Sequence, residues 1–213
     1  MIVTRPAHQA EPLVEELERR GYDVFVCPLI ALEPLGDDPV DVSGYDWLVV
    51  TSANGADLLA PRLRGRAKRV AAIGPATAEA LAAHGIGVDL VPRTATQEGL
   101  LGELPRPAGR VLVAAAEGAR RLLVDELGAD FLALYRTREL RPDPVPAGDV
   151  VVVSSASQAR ALARLELGVP VVSIGPQTTQ AARGLGLDVA AEAAAPTAFA
   201  LGAAVDSARL GAR

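Results

Sequence analysis

The chain of 213 residues is poor in the side chains that usually announce a chemistry. It has one cysteine, Cys27, which excludes an intrachain disulfide framework and a cysteine-based zinc site and fits a reducing compartment. Two isolated histidines, His8 and His84, both in helical patterns and expected at the surface, add no metal constellation. Aromatic residues make up 3% of the chain, so Val, Leu and Ala must fill the core, with Trp47 among them. No charge of one sign runs together. The net charge of −5 argues against coating a polyanion such as nucleic acid, without forbidding a local cationic cleft. No stretch supplies the roughly 20 apolar residues of a membrane span, because Glu192 and Pro196 break the Ala-rich segment near the end. The first residues include Arg5 and Pro6 and no apolar signal core, so a cytosolic location is expected. There is no Walker loop, no G-x-G-x-x-G and no Ser-His-Asp elbow. An enzyme built from this inventory works by holding and polarising its ligand rather than through a nucleophile.

What the chain does have is an internal echo. Val171-Val172-Ser173-Ile174-Gly175-Pro176-Gln177-Thr178 runs from an apolar strand through a tight turn into a helical pattern, and Val70-Ala71-Ala72-Ile73-Gly74-Pro75-Ala76-Thr77 does so 101 residues earlier. Thr96 and Thr197 keep that offset, as do Leu100 and Leu201. A duplicated strand–turn–helix unit implies two similar lobes of roughly 100 residues. Gly allows close backbone approach in the turn, and Pro at the helix start gives up only an N–H that was free anyway.

Apolar strands alternate with amphipathic helices throughout, the pattern of parallel α/β sheets covered on both faces. The order of the pieces predicts a split lobe, 1–29 with 140–213, and an inserted lobe, 36–133, joined by linkers 30–35 and 134–139. In open α/β sheets ligands sit at the carboxyl ends of the strands. Those ends carry Thr51-Ser52-Ala53-Asn54, Gly74-Pro75-Ala76-Thr77, Ser154-Ser155-Ala156-Ser157 and Gly175-Pro176-Gln177-Thr178, all neutral donors at helix starts that attract anions. Any one of these hydroxyls could serve only to cap its own helix; the repetition favours a shared role for the set. Tyr135, at a strand end beside a linker, is the one plausible proton donor, the alternative being a packed tyrosine with a bonded hydroxyl. Arg5, Arg120, Arg136 and Arg138 are cationic candidates for carboxylates, the alternative for each being a solvated surface charge.

This ordered set resembles the uroporphyrinogen-III synthase family. The resembling segments are Val3-Thr4-Arg5-Pro6, Pro28-Leu29-Ile30, Asp46 to Gly55, both Ile-Gly-Pro units, Gly118-Ala119-Arg120, Leu134-Tyr135-Arg136-Thr137, the Ser-rich turn and Pro196-Thr197. The resemblance implies two α/β lobes with a ligand cleft between them. It also implies a cofactor-free, metal-free reaction on hydroxymethylbilane, which loses water, passes through a spiro intermediate and closes with one ring inverted. Tyr135 matches the family's favoured acid, and Thr178 a threonine that binds a substrate carboxylate. Ser155 and Ser157 match the Ser-rich turn, with Ser52, Asn54 and Thr77 as counterparts in the other lobe; Arg5, Arg120 and Gln177 complete the expected binding set. Departures are Ala156 where proline is common, Gln177 in place of a small residue and Ala115 where a basic residue is frequent. A monomer with no nucleic-acid or membrane partner is expected. Two rival readings stand beside the cyclase. One is a non-catalytic tetrapyrrole-binding or regulatory module of the same fold. The other is an unrelated two-lobed enzyme, for which the sequence offers no acid/base pair.

Overall fold

The structure, a computed structural model, describes residues 1–211; the side chains of residues 8, 210 and 211 lie outside that description, so the surface expectation for His8 does too. The chain opens with β1 (Ile2–Val3), α1 (Ala7–Arg19), β2 (Phe25–Val26) and β3 (Ile30–Pro34). The middle comprises β4 (Val40–Asp41), β5 (Trp47–Val50), α2 (Ala53–Leu59), β6 (Leu63–Arg64), β7 (Arg69–Ala72), α3 (Pro75–Ala83), α4 (Gln97–Glu103), β8 (Val111–Ala116), α5 (Leu122–Leu127) and β9 (Asp130–Glu139). The last part holds β10 (Val151–Val153), α6 (Ala156–Ala163), β11 (Val171–Ser173), α7 (Pro176–Gly184), β12 (Val189–Glu192) and α8 (Ala198–Gly211). No helix among the described residues is long and apolar enough to cross a membrane.

The chain divides into two compact units, Met1–Leu32 with Arg138–Arg213 and Glu33–Thr137. The first unit has a sheet in the order β12-β11-β10-β1-β2, with every neighbouring pair parallel. Successive strand residues point to opposite faces, and here both faces are covered. Val3, Val152 and Val172 pack against Leu13 and Leu17 of α1 and Leu201 and Val205 of α8. Ile2, Val151, Val153 and Val171 pack on the other side with Ala161 and Leu162 of α6. This two-sided burial is why the strands read as unbroken apolar runs. Each fully buried Val or Leu contributes about 1.5–3 kcal/mol.

The second unit orders its main sheet β3-β9-β8-β5-β7, with β9, β8, β5 and β7 mutually parallel. Trp47, Val49, Val111 and Val113 pack against Leu100, Leu104 and Leu123. The alternate residues Leu48, Val50, Leu112 and Ala114 are buried on the opposite face, where α2 lies on β5 and β8. β3 runs antiparallel to β9: Leu35 N–H donates to Leu134 O at 2.9 Å and Leu140 N–H to Leu29 O at 2.8 Å.

Two local sequence patterns are overridden. The apolar pattern of Val88–Val91 predicts a strand, but among the described residues this segment makes one isolated bridge, Leu90 to Ala71. Glu117–Arg121 reads as the opening of the helix that runs to Leu127, but that helix begins only at Leu122. The reason is a competing grip from α4: Gln97 Nε2 donates to Arg120 O at 3.0 Å, and Glu98 holds the Arg120 guanidinium.

Candidate functional site

In each unit the carboxyl ends of the central parallel strands form a rim of hydroxyls and helix starts. In the first unit this rim is built from the ends of β1, β10 and β11. Ser155 caps α6, its Oγ accepting from Gln158 N at 3.2 Å and lying 3.0 Å from Ser157 Oγ. Gln158 is buried and stitches the turn together: its Oε1 accepts from Ser154 N–H at 2.7 Å and lies 3.0 Å from Thr4 Oγ1. Arg5 is half-buried and donates from Nε to Ser154 Oγ at 2.7 Å. It has no carboxylate partner among the described residues, and burial pushes its guanidinium below the ordinary value. A cation desolvated in this way is an open receptor for an anion. At the end of β11, two strands from β1 in the sheet, Gly175 is the N-cap of α7 and Pro176 its first residue. A Cβ added at Gly175 would meet nothing within 4 Å, so the turn faces open space. Thr178, one turn into α7, is 6% exposed, and its hydroxyl has no hydrogen-bond partner among the described residues.

In the second unit Ser52 caps α2, its Oγ accepting from Gly55 N at 3.0 Å. Gly74 and Pro75 open α3; a Cβ at Gly74 would come 2.9 Å from Ala95 Cβ, so close approach demands glycine here. Thr77 is 3% exposed and, like Thr178, has a hydroxyl with no partner among the described residues. Tyr135 comes from β9, two strands away from Ser52 in the sheet. Adjacent strands lie roughly 4.8 Å apart, so its ring must pass over β8, where Ala114, Ala115 and Ala116 leave room. The pairing slips at this point: Ala115 opposes Ala133, whereas Ala116 opposes Tyr135. That bulge breaks the alternation and buries both Leu134 and Tyr135. Tyr135 Oη lies 3.0 Å from Ser52 Oγ. A recess of about 550 Å³ in this unit, lined among others by Lys68, His84 and Asp89, belongs to the opposite, amino-terminal edge of the sheet.

Comparison with known proteins agrees with this construction. A family model described as uroporphyrinogen-III synthase HemD matches residues 11–203. The chain is 33% identical to the putative uroporphyrinogen-III synthase of Archaeoglobus fulgidus, over 84% of this chain and 86% of that protein. It is 25% identical to the uroporphyrinogen-III synthase of Synechococcus elongatus, over 84% of this chain and 83% of that one. The chain belongs to the uroporphyrinogen-III synthase family. A match to the putative synthase of Methanocaldococcus jannaschii, at 27% identity, spans 65% of this chain and 62% of that protein. The fold agrees with a mutant uroporphyrinogen III synthase of Thermus thermophilus, at a TM-score of 0.71, 18% identity and coverage of 99% and 98%. It also agrees with the Helicobacter pylori synthetase, at a TM-score of 0.64, 16% identity and coverage of 100% and 99%.

Within this uroporphyrinogen-III synthase fold the expected site residues fall into three conditions. Thr77 and Thr178 are buried with uncommitted hydroxyls, and Gln177 is exposed at the start of α7. Ser52 and Ser155 spend a lone pair on their own helices, Ser157 leans on Ser155, and Asn54 sits half-buried in the first turn of α2. Arg120 is exposed and bound bidentately by Glu98, at 2.5 and 3.0 Å, and that pairing pulls the Glu98 carboxyl down to about 2. Of the other cations, Arg136 is exposed with Nε 3.5 Å from Glu33, and Arg138 is exposed. Sequence reasoning missed the buried Gln158 and the grip of Gln97 on the Arg120 carbonyl. A polar residue inside an otherwise apolar helix face was the available signal for the first; nothing local marked the second.

Proposed function

We propose that this chain catalyses the reaction its family is named for: it dehydrates and cyclises hydroxymethylbilane to uroporphyrinogen III, inverting the last ring through a spiro intermediate. The observation that carries the reading is Tyr135, buried at a strand end and bonded at 3.0 Å to Ser52.

The substrate is a linear tetrapyrrole rich in carboxylates. Helix starts at α3, α6 and α7, the hydroxyls of Thr77 and Thr178, and the desolvated Arg5 are receptors for those carboxylates, each helix start worth roughly 0.3–1 kcal/mol. In the first step the hydroxymethyl C–O bond breaks as the neighbouring pyrrole nitrogen pushes in its electron pair. Tyr135 gives its proton to the departing oxygen, which leaves as water, and the phenolate recovers a proton from that pyrrole N–H. The last ring then attacks through its substituted carbon, the spiro centre fragments, and recombination closes the macrocycle. Binding holds the flexible chain in the folded geometry that this sequence requires, which is catalysis by positioning. The reading includes a monomer acting in the cytosol without nucleic acid or membrane, which sedimentation and fractionation check.

The test is to supply freshly prepared hydroxymethylbilane and resolve the isomers formed. Uroporphyrinogen III above the spontaneous background is expected. Isomer I alone, formed at the uncatalysed rate, overturns the proposal.

A further inference from the structure

The two capping serines of the duplicated units are not equivalent. Ser52 and Ser155 both start a helix after a parallel strand and both accept a backbone N–H, from Gly55 at 3.0 Å and from Gln158 at 3.2 Å. Their second contacts differ. Ser155 meets the hydroxyl of Ser157, two residues on, whereas Ser52 meets the Tyr135 hydroxyl, 83 residues on, at 3.0 Å. A local capping need does not explain a tyrosine brought over an intervening strand by a bulge.

We infer that Ser52 is a positioning residue for the acid: its hydroxyl donates to Tyr135 Oη, aims the phenol's own O–H outward at the departing hydroxyl, and holds the negative charge that forms on Oη. This rests on the reading of Tyr135 as the proton donor.

The direction of the bond follows from proton counting. Each hydroxyl has one proton. If Tyr135 donated to Ser52, its proton would be occupied and unavailable to a substrate. When Tyr135 has given its proton away, Oη can only accept, so Ser52 must then be the donor. A single arrangement, Ser52 donating throughout, serves both states without reorganisation, which is the condition for electrostatic stabilisation of a developing charge. The Gly55 N–H entering Ser52 Oγ polarises the serine O–H and strengthens it as a donor. Gly55 also keeps the space open: a Cβ there would lie 2.9 Å from Ser52 Oγ and 3.3 Å from Leu134 Cδ1. The glycine that supplies the cap's N–H is thus the one that lets the serine hydroxyl stay where it meets the phenol.

The experiment compares wild type, Ser52→Gly, Ser52→Thr, Tyr135→Phe and the Ser52→Gly/Tyr135→Phe pair on fresh hydroxymethylbilane, with thermal unfolding measured on each. Glycine is tolerated at an N-cap, so Ser52→Gly removes the donor while keeping the helix start. Its kcat should fall roughly 10- to 100-fold, the loss expected for a hydrogen bond to a charged group, with KM changed less than threefold. Ser52→Thr should restore most of kcat. In the Tyr135→Phe background Ser52→Gly should cause no further loss. A rise in KM at unchanged kcat makes Ser52 a carboxylate contact and overturns the inference. So does additivity of the two substitutions, or a kcat in Ser52→Gly equal to that of wild type. Wild type that forms only isomer I defeats the proposed function instead, so the two failures are distinguishable.

Discussion

Thr77 and Thr178 occupy the same place in the two duplicated units: each follows a Gly-Pro helix start, each is almost wholly buried, and neither hydroxyl is bonded within the described residues. Among the described residues Gln97 Oε1 is the one fully buried side-chain polar atom without a partner, so both threonine oxygens reach solvent and are open to a ligand. Thr→Val keeps the shape and breaks no hydrogen bond of the fold. We expect Thr178→Val and Thr77→Val to melt at or above the wild-type temperature, while KM for hydroxymethylbilane rises severalfold. Thermal unfolding and steady-state kinetics on the same preparations check this. Melting temperatures that drop by several degrees would mean the hydroxyls support the fold instead.

Tyr135 allows a sharper separation of fold from chemistry. Its ring fills space over β8, and Phe fills the same space. Tyr135→Phe leaves the Ser52 cap bonded to Gly55 N–H, so unfolding should shift by no more than about 1 kcal/mol. Loss of the proton donor should lower kcat by about 10²-fold or more, the range for general acids. The check is kcat on fresh substrate beside the denaturation midpoint. An unchanged kcat removes Tyr135 from the mechanism.

Arg5 has its charge partly sheltered from water with no carboxylate among the described residues to compensate, and its guanidinium bonds instead to the neutral Ser154 Oγ. Replacing it with Met retains much of the aliphatic stem and deletes the charge. Arg5→Met should therefore be no less stable than wild type, should raise KM, and should weaken the dependence of KM on salt, because one screened charge–charge contact is gone. A KM equal to that of wild type at low salt would show that Arg5 does not meet the substrate.

The repeated strand–turn–helix signal was legible because it depends on local causes. Apolar runs such as Val150 to Val153 mark two-sided burial, and Pro75, Pro176, Ser52, Thr96 and Ser155 mark helix starts that are there in the structure. What sequence could not carry was geometry set by partners distant in the chain. The slip opposite Ala116 that turns Tyr135 toward Ser52 leaves no trace in a period-two pattern. Nor does the pull of α4 on the segment before α5, where Gly118-Ala119-Arg120 reads as a helix start until Gln97 and Glu98 bind it. Val88–Val91 failed for the converse reason: its apolar residues satisfy the strand pattern, but only Leu90 finds a bridging neighbour.

The Glu98–Arg120 pair gives a pH test and a functional one together. Hydrogen bonding to Arg120, first, pulls the Glu98 carboxyl from its ordinary 4.5 to about 2. The unfolded chain binds the proton more readily than the folded one, so stability rises with pH through this window. The contribution is fully present above about 4.5, and it is lost as pH falls through about 2. Glu98→Gln should remove that slope: melting temperatures of variant and wild type should diverge as pH is raised from 2 to 5 and converge below it. Both side chains are solvent-exposed, so the divergence should shrink in high salt. The same change frees the Arg120 guanidinium. If Arg120 takes a substrate carboxylate, it must leave Glu98 to do so, and Glu98→Gln should lower KM for hydroxymethylbilane at neutral pH. A KM unaffected by Glu98→Gln, with the acid slope abolished as described, would assign the pair to holding the segment before α5 and remove Arg120 from the binding set.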